Sequence, residues 1–216
     1  MKNRELFLKI FDVPRETINK FDCYHELILK AQQHFNIIGR GTLEEIWLRH
    51  FGDSAKVVQI IKNCYPDTRQ RLIKVCDIGS GAGFPGIVVA LMLKNSSQKY
   101  DITLIESNKK KCLFLNTAKE ALNLNTEVVN QRAEQVNIKY DVILSRAVTS
   151  LKRLVPIAHK LKKKSGIVIL HKGKTWNDEL NEIKNSWKFN YNIVKNNTLL
   201  DKSGGVTIII KDLEEK

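Results

Sequence analysis

The 216-residue sequence has no run of about 18 or more apolar residues, so no segment is expected to cross a bilayer as a helix. Its first residues, MKNRELFLKIFDV, are too punctuated by charge for the apolar stretch of a secretory signal. Glu5 and Asp12 speak against a mitochondrial presequence. The four cysteines, Cys23, Cys64, Cys76 and Cys112, include no C-x-x-C pair, and the five histidines show no H-E-x-x-H or finger spacing. That pattern excludes a structural zinc framework and a disulfide-stapled fold, and predicts free thiols in a reducing cytoplasm. No metal is expected. Internal repeats and low-complexity tracts are absent. Acidic residues are in short supply: 36 Lys and Arg face 23 Asp and Glu, a net charge of +13, with the largest excess after residue 147. A positive surface attracts phosphate backbones by releasing their counterions, so a polyanion is the expected partner. A chain rich in Lys, Asn and Ile acquires such charge through composition alone, so the argument needs a site beside it.

A hydrophobic share of 43% and a charged share of 27% suit one α/β domain with an appendage. Residues 1–71 read as helices packed on a domain formed by 72–216. Phe21, Tyr24, Ile28, Ala31, Phe35 and Ile38 recur at steps of three and four, which predicts one helix ending at Gly39 and Gly41. Thr42 and Glu45 form a capping-box pattern for the next helix, with Ile46 and Trp47 inward. Asp53 or Ser54 caps another through Ile61, broken at Tyr65-Pro66-Asp67. From residue 72 short apolar runs alternate with helical ones: LIKVCDI, PGIVVALML, DITLIES, KKKCLFLNTAKEAL, TEVVNQ, YDVILSRA, a Leu151–Leu161 helix, GIVILHK, a 176–187 helix, NYNIV and VTIIIK. This texture predicts a doubly wound, mostly parallel seven-stranded sheet covered on both faces. Only NNTLLDKSGG separates the last two strands, so they should pair as a hairpin with the final strand as a reversed edge.

The densest local signal is Asp77-Ile78-Gly79-Ser80-Gly81-Ala82-Gly83-Phe84-Pro85-Gly86, between a strand at Lys74–Ile78 and a helix opened by Pro85. Glycines at such a junction let the backbone turn tightly and approach a ligand. Gly81–Gly86 satisfies G-x-G-x-x-G, so a dinucleotide and oxidoreductase chemistry must be weighed. Against it, Asp77 would repel a pyrophosphate at about 4–6 Å while favouring a cationic amine or sulfonium. The terminal hairpin also leaves no room for a second dinucleotide half. Glu106, ending the next strand 23 residues after Gly83, is placed to take the ribose hydroxyls of an adenosyl group. Ala133 and Glu134, after the third strand, are placed to flank an adenine edge.

These segments together resemble the ribosomal RNA small subunit methyltransferase G family, also called glucose-inhibited division protein B, a class I S-adenosylmethionine-dependent group. The resemblance runs from about Tyr24 to the last strand. Its pieces are Phe35-Asn36-Ile37-Ile38, the segment Trp47–Ser54, the Asp77–Gly86 loop with its Phe-Pro-Gly ending, Gln131-Arg132-Ala133-Glu134, Leu144-Ser145-Arg146-Ala147 and His171-Lys172-Gly173. Phe51-Gly52 and His171 depart from the usual pattern. The resemblance implies a Rossmann-like fold and methylation of guanine N7 in a loop of 16S rRNA, free or in the small ribosomal subunit, with no stable protein partner. It also implies S-adenosyl-L-methionine as cofactor, contacted by Gly79, Phe84, Ala133, Glu134 and Arg146. A cofactor-binding assembly factor without activity is the non-enzymatic alternative. Arg146 is the expected orienting residue at the reaction centre, and the cofactor set is completed by Asp77, Gly81, Gly83 and Glu106. Arg132 and Lys172 are expected on the RNA, as are Lys109 and Lys110, whose charges oppose the dipole of the helix they open. Lys111 belongs to the same run. Phe84 is a candidate to stack on a base or the adenine. Trp47 could stack in the same way, and His50 with Asp53 could face the target. Core packing is the favoured expectation for Trp47, and capping and packing for His50 and Asp53.

Overall fold

The structure, a computed structural model, describes residues 2–66, 71–146, 148–195 and 205–216. The chain opens with helices α1 (Lys2–Ile10) and α2 (Arg15–His34), a 3-10 turn at Arg40–Thr42, a π-helical stretch at Ile46–Gly52, and α3 (Asp53–Cys64). Then follow β1 (Ile73–Ile78), α4 (Gly86–Leu93), β2 (Tyr100–Ile105), α5 (Lys109–Ala121), β3 (Thr126–Val129), a 3-10 turn at Ala133–Gln135, and β4 (Tyr140–Arg146). The last elements are α6 (Leu151–Leu161), β5 (Lys162–Lys172), α7 (Trp176–Ile183), β6 (Trp187–Lys195) and β7 (Val206–Glu215).

The seven strands form one sheet in the order β3-β2-β1-β4-β5-β7-β6. The pairs β1–β2, β1–β4, β2–β3 and β4–β5 are parallel, and β7 runs antiparallel to both neighbours. The expected sheet and its reversed final strand are thus present, but β7 is not the edge. Its first five residues, Val206–Ile210, are all buried, whereas β6 is mostly exposed. The more apolar strand takes the interior position and the polar one faces water. The linker at 196–204 lies outside the described residues.

Each face of the sheet carries its own core. On one, α1–α5 gather Phe7, Phe21, Tyr24, Phe51 and Phe84 with Ile87, Val89, Leu104 and Leu144. On the other, α6 and α7 cover Ile78, Ile143, Val168 and Ile208. Helix α4 is buried along nearly its whole length, which suits its unbroken apolar sequence GIVVALML. Trp47 meets Phe7, Phe21 and Phe51 at 4.9–6.4 Å between ring centroids, and so belongs to the core as its spacing suggests.

Three local expectations give way. Helix α2 ends at His34, before the glycines, because Gln32 Oε1 accepts from both Ile37 N (3.0 Å) and Ile38 N (3.1 Å). That side chain replaces the helical partners of those amides, and Ile38 is buried without being helical. Thr42 caps no helix: its hydroxyl donates to Gly39 O at 2.8 Å and meets His50 Nε2 at 2.8 Å. Asp53 and Ser54 cap nothing either, since the π-helical stretch runs into α3 and helical geometry already holds at Gly52. The break at Tyr65-Pro66 stands where α3 ends; Asp67 is outside the described residues.

Candidate functional site

Strand order reverses between β1 and β4, and in an open parallel sheet ligands lodge beyond the carboxyl ends of strands at such a point. The glycine loop lies there. Gly79, Gly81 and Gly83 all have positive φ, at 68°, 57° and 95°. A side chain at Gly79 would run into Val148, and one at Gly83 would come within 2.6 Å of the Tyr24 hydroxyl. The loop is anchored from several sides. Gly79 N and Ser80 N donate to Ile105 O at 2.8 and 3.1 Å, and Ser145 Oγ donates to Ile78 O at 3.0 Å. The Tyr24 hydroxyl, buried under the helical layer, donates to Ala82 O. The N-terminal helices therefore brace the loop directly.

A crevice of about 730 Å³ opens beside this loop, within the usual range for a small-molecule site. Ile78, Ile105, Leu154 and Ile157 give it apolar walls; Gly79, Glu106, Ala133 and Glu134 reach it from successive strand ends. Glu106 is buried, with Oε2 accepting from Gly81 N at 3.0 Å and Oε1 from Asn108 N at 2.8 Å. Each oxygen has a second acceptor direction, so the carboxylate holds the loop and retains capacity for a ligand's hydroxyls. Ala133 is buried in the turn after β3, while Glu134 and Arg132 are exposed at the rim.

Asp77 is placed differently from the sequence expectation. It is fully buried behind the loop, its Oδ2 accepting from Gly86 N at 3.0 Å. Burial raises its pKa to about 7, against the opposing effect of the Gly86 N–H. Its influence on a cation in the crevice is through the loop rather than by contact. Gly81 and Gly83 shape the turn, but Gly79 alone of the three reaches the crevice wall. The Phe84 ring is no stacking platform. It is 5% exposed and enclosed within the helical layer by Tyr24, His50 and Phe51.

Arg146 ends β4, in register with His171 of β5, and acts electrostatically on Asp77, His50 and His171. Asp141 lies at the far end of β4, bound to Arg71 and Lys163 at 2.8 Å each, and so takes no part at this edge. Ala147 lies outside the described residues. His50 and His171 are buried; burial, reinforced by Arg146, lowers their pKa values to about 2 and about 3. His50 packs, as expected, with its ring 4.8 Å from Phe84.

Lys172 is held by groups of the protein itself. It pairs with Glu179 at 2.7 Å and donates to Thr149 O at 2.9 Å, with a side chain only 10% exposed. Lys109 and Lys110 are exposed on the first turn of α5 but do not line the crevice; Lys111, next in the run, does. Asn108 caps that helix, accepting from Lys110 N and Lys111 N at 2.9 and 3.3 Å. The crevice also receives Ser107, Thr149 and Arg153, which the sequence reading missed. Arg153, like Lys111, is a cation in the first turn of a helix, and that shared signal was legible.

The sheet order with its reversed β7, and a nucleoside-sized crevice over the β1–β4 switch, define a class I methyltransferase fold. Solved structures agree at the level of fold. A putative class I S-adenosylmethionine-dependent methyltransferase from Listeria monocytogenes superposes with a TM-score of 0.61 at 9% identity, covering 85% of this chain and 64% of its own. A tRNA (m1A58) methyltransferase from Aquifex aeolicus gives 0.56 at 14% identity, with 75% and 68% covered. Sequence goes further. The family model for rRNA small subunit methyltransferase G matches residues 17–205. Ribosomal RNA small subunit methyltransferase G of Bartonella bacilliformis is 34% identical over 205 residues, 94% of this chain and 90% of that one. Its counterpart in Rhodospirillum centenum is 35% identical over 84% of this chain and 79% of its own. The chain belongs to the rRNA small subunit methyltransferase G family.

Proposed function

We propose that the protein transfers a methyl group from S-adenosyl-L-methionine to N7 of a guanine in 16S rRNA, presented free or within the small ribosomal subunit. The observation that carries this is the crevice itself: a glycine loop, a buried Glu106 with spare acceptor capacity and apolar walls sized for an adenosyl group. The fit is chemical as well as spatial. Glu106 would hold the ribose hydroxyls, Ala133 and Glu134 the adenine edge, and Gly79 gives close backbone approach. The bound cofactor supplies an electrophilic methyl group on sulfur.

The rest is done by the chain. Guanine N7 carries an in-plane lone pair and no proton, so no general base is needed. The protein must hold N7 in line with the methyl group and keep water out. Arg146, a fork-shaped donor at the tip of β4, orients the acceptor. Lys111, Arg132 and Arg153 ring the crevice with positive charge, suited to the phosphates flanking the target nucleotide. Residues 1–71 serve as a helical extension bracing the loop of the catalytic domain, 72–216. No helix among the described residues is long and apolar enough to cross a membrane, and no group of metal-binding side chains occurs among them. The cytoplasm, where rRNA is made and assembled, is the expected compartment.

The decisive experiment incubates the purified protein with labelled S-adenosylmethionine and small-subunit rRNA lacking the mark, then maps the product by mass spectrometry of RNA fragments. A single 7-methylguanosine is expected. Calorimetry that detects NAD(P) binding but no adenosylhomocysteine binding would reverse the reading.

A further inference from the structure

Between Arg146, the last residue of β4, and Leu151, the first of α6, the chain passes along the crevice. Val148 and Thr149 line it there, and Arg153, Leu154 and Ile157 of α6 extend the same wall. Val148 also lies directly over Gly79, where an added Cβ would come within 2.4 Å of its Cγ2. The course of this junction therefore sets one side of the crevice and the path by which the chain leaves Arg146.

The junction is held from α7. Ser150 stands at the N-cap of α6, but its side chain makes no capping bond. Glu179, in the first turn of α7, reaches across instead, its Oε2 accepting from Leu151 N at 2.7 Å. The same oxygen pairs with Lys172 Nζ at 2.7 Å, and Lys172 donates to Thr149 O at 2.9 Å. Glu179 Oε1 accepts from the Thr175 hydroxyl at 3.2 Å. An acceptor and a donor two residues apart in the junction, Thr149 O and Leu151 N, are thus fixed to the two partners of one ion pair. A carboxylate suits the start of a helix, where unpaired N–H groups carry partial positive charge. Burial by itself would raise the Glu179 pKa, yet Lys172 and the Leu151 N–H hold it below its ordinary value. The pair is largely shielded from water, which sets it apart from a loose surface contact.

We propose that Glu179 is a positioning residue for methyl transfer: with Lys172 it fixes the 148–150 segment, and through it the alignment of the acceptor with the cofactor's methyl group. The inference rests on the methyltransferase reading above and gives Glu179 no contact with cofactor or RNA. On that reading the cofactor is held mainly from other strand ends, by Gly79, Glu106, Ala133 and Glu134. A displaced junction therefore disturbs alignment before it disturbs binding.

The test measures kcat at saturating S-adenosylmethionine and small-subunit rRNA, beside adenosylhomocysteine affinity by calorimetry. Rates are taken per cofactor-binding molecule, from the calorimetric stoichiometry, so that loss of folded protein does not register. E179A should lower kcat at least about tenfold while the affinity falls less than about threefold, since a small misplacement slows an in-line transfer steeply. E179Q keeps an acceptor for Leu151 N and should recover most of the rate. K172M removes the anchor on Thr149 O and should show the same split; combined with E179A it should lower kcat little further, because both act on one junction. Should E179A not fold, K172M decides. An unchanged kcat in E179A, or in K172M where it stands alone, overturns the assignment. So does an affinity loss as large as the rate loss, or fully additive losses in the double variant. Each of these leaves the methyltransferase reading intact, whereas a wild-type protein that transfers no methyl group to rRNA overturns both.

Discussion

Mild acid should destabilise the protein, and replacing Asp77 with Asn should make it more sensitive. His50 and His171 have folded pKa values of about 2 and about 3, below the ordinary 6.5. Their contribution to stability is present above 6.5 and is lost as pH falls toward the folded values. Asp77 works the other way: its folded pKa of about 7 lies above the ordinary 3.8, so its contribution is present at low pH and lost as pH rises through about 7. Between about pH 6 and about pH 5 unfolding therefore takes up roughly two protons at the histidines and releases roughly one from Asp77. Each net proton corresponds to about 1.4 kcal/mol per pH unit. Asp77→Asn should lose about 1.4 kcal/mol more per pH unit than the wild-type protein. Burial also lowers His25 and His159, but their titration is common to both proteins and cancels in the difference. Asn keeps an acceptor for Gly86 N, so the Asp77 variant retains the contact that starts α4. Urea unfolding by circular dichroism at several pH values measures both slopes. Identical slopes would show that Asp77 is ionised in the folded protein and that the burial argument fails.

The same raised pKa predicts that a cationic cofactor releases a proton from Asp77 on binding, so adenosylmethionine affinity should rise from about pH 6 to about pH 8; calorimetry in buffers of different ionisation enthalpy reads the proton. Glu106→Ala removes both a loop anchor and the ribose acceptors, and should weaken adenosylhomocysteine binding at least about tenfold, given roughly 1.5–3 kcal/mol for a charged hydrogen bond. An unchanged affinity would take Glu106 out of the site. Gly79→Ala forces a side chain against Val148 at positive φ and should cost at least about 1 kcal/mol of stability, read as a lower midpoint in urea. Lys111→Glu and Arg153→Glu should weaken rRNA binding and flatten its salt dependence, whereas Lys172→Ala should leave that slope unchanged because Lys172 is held by Glu179.

Much of the architecture was written in local pattern. The alternation of apolar runs with helical ones specified the parallel sheet, since strands buried on both faces must be continuously apolar. The Asp77–Gly86 loop, Glu106 and Ala133-Glu134 were legible because each stands at the carboxyl end of a strand, and β-α-β connectivity carries those ends to one edge. Only the packed structure decided the rest. That β7 lies inside β6 depended on comparing the burial of two strands, which hairpin reasoning does not do. Phe84 and Lys172 went elsewhere because side-chain direction follows from backbone torsion and from neighbours distant in sequence, Tyr24 and Glu179 among them. The electrostatic influence of Arg146 on His50, Asp77 and His171 links residues more than a hundred positions apart. No local pattern encodes it, because it exists only where the helical layer closes over the tip of the sheet.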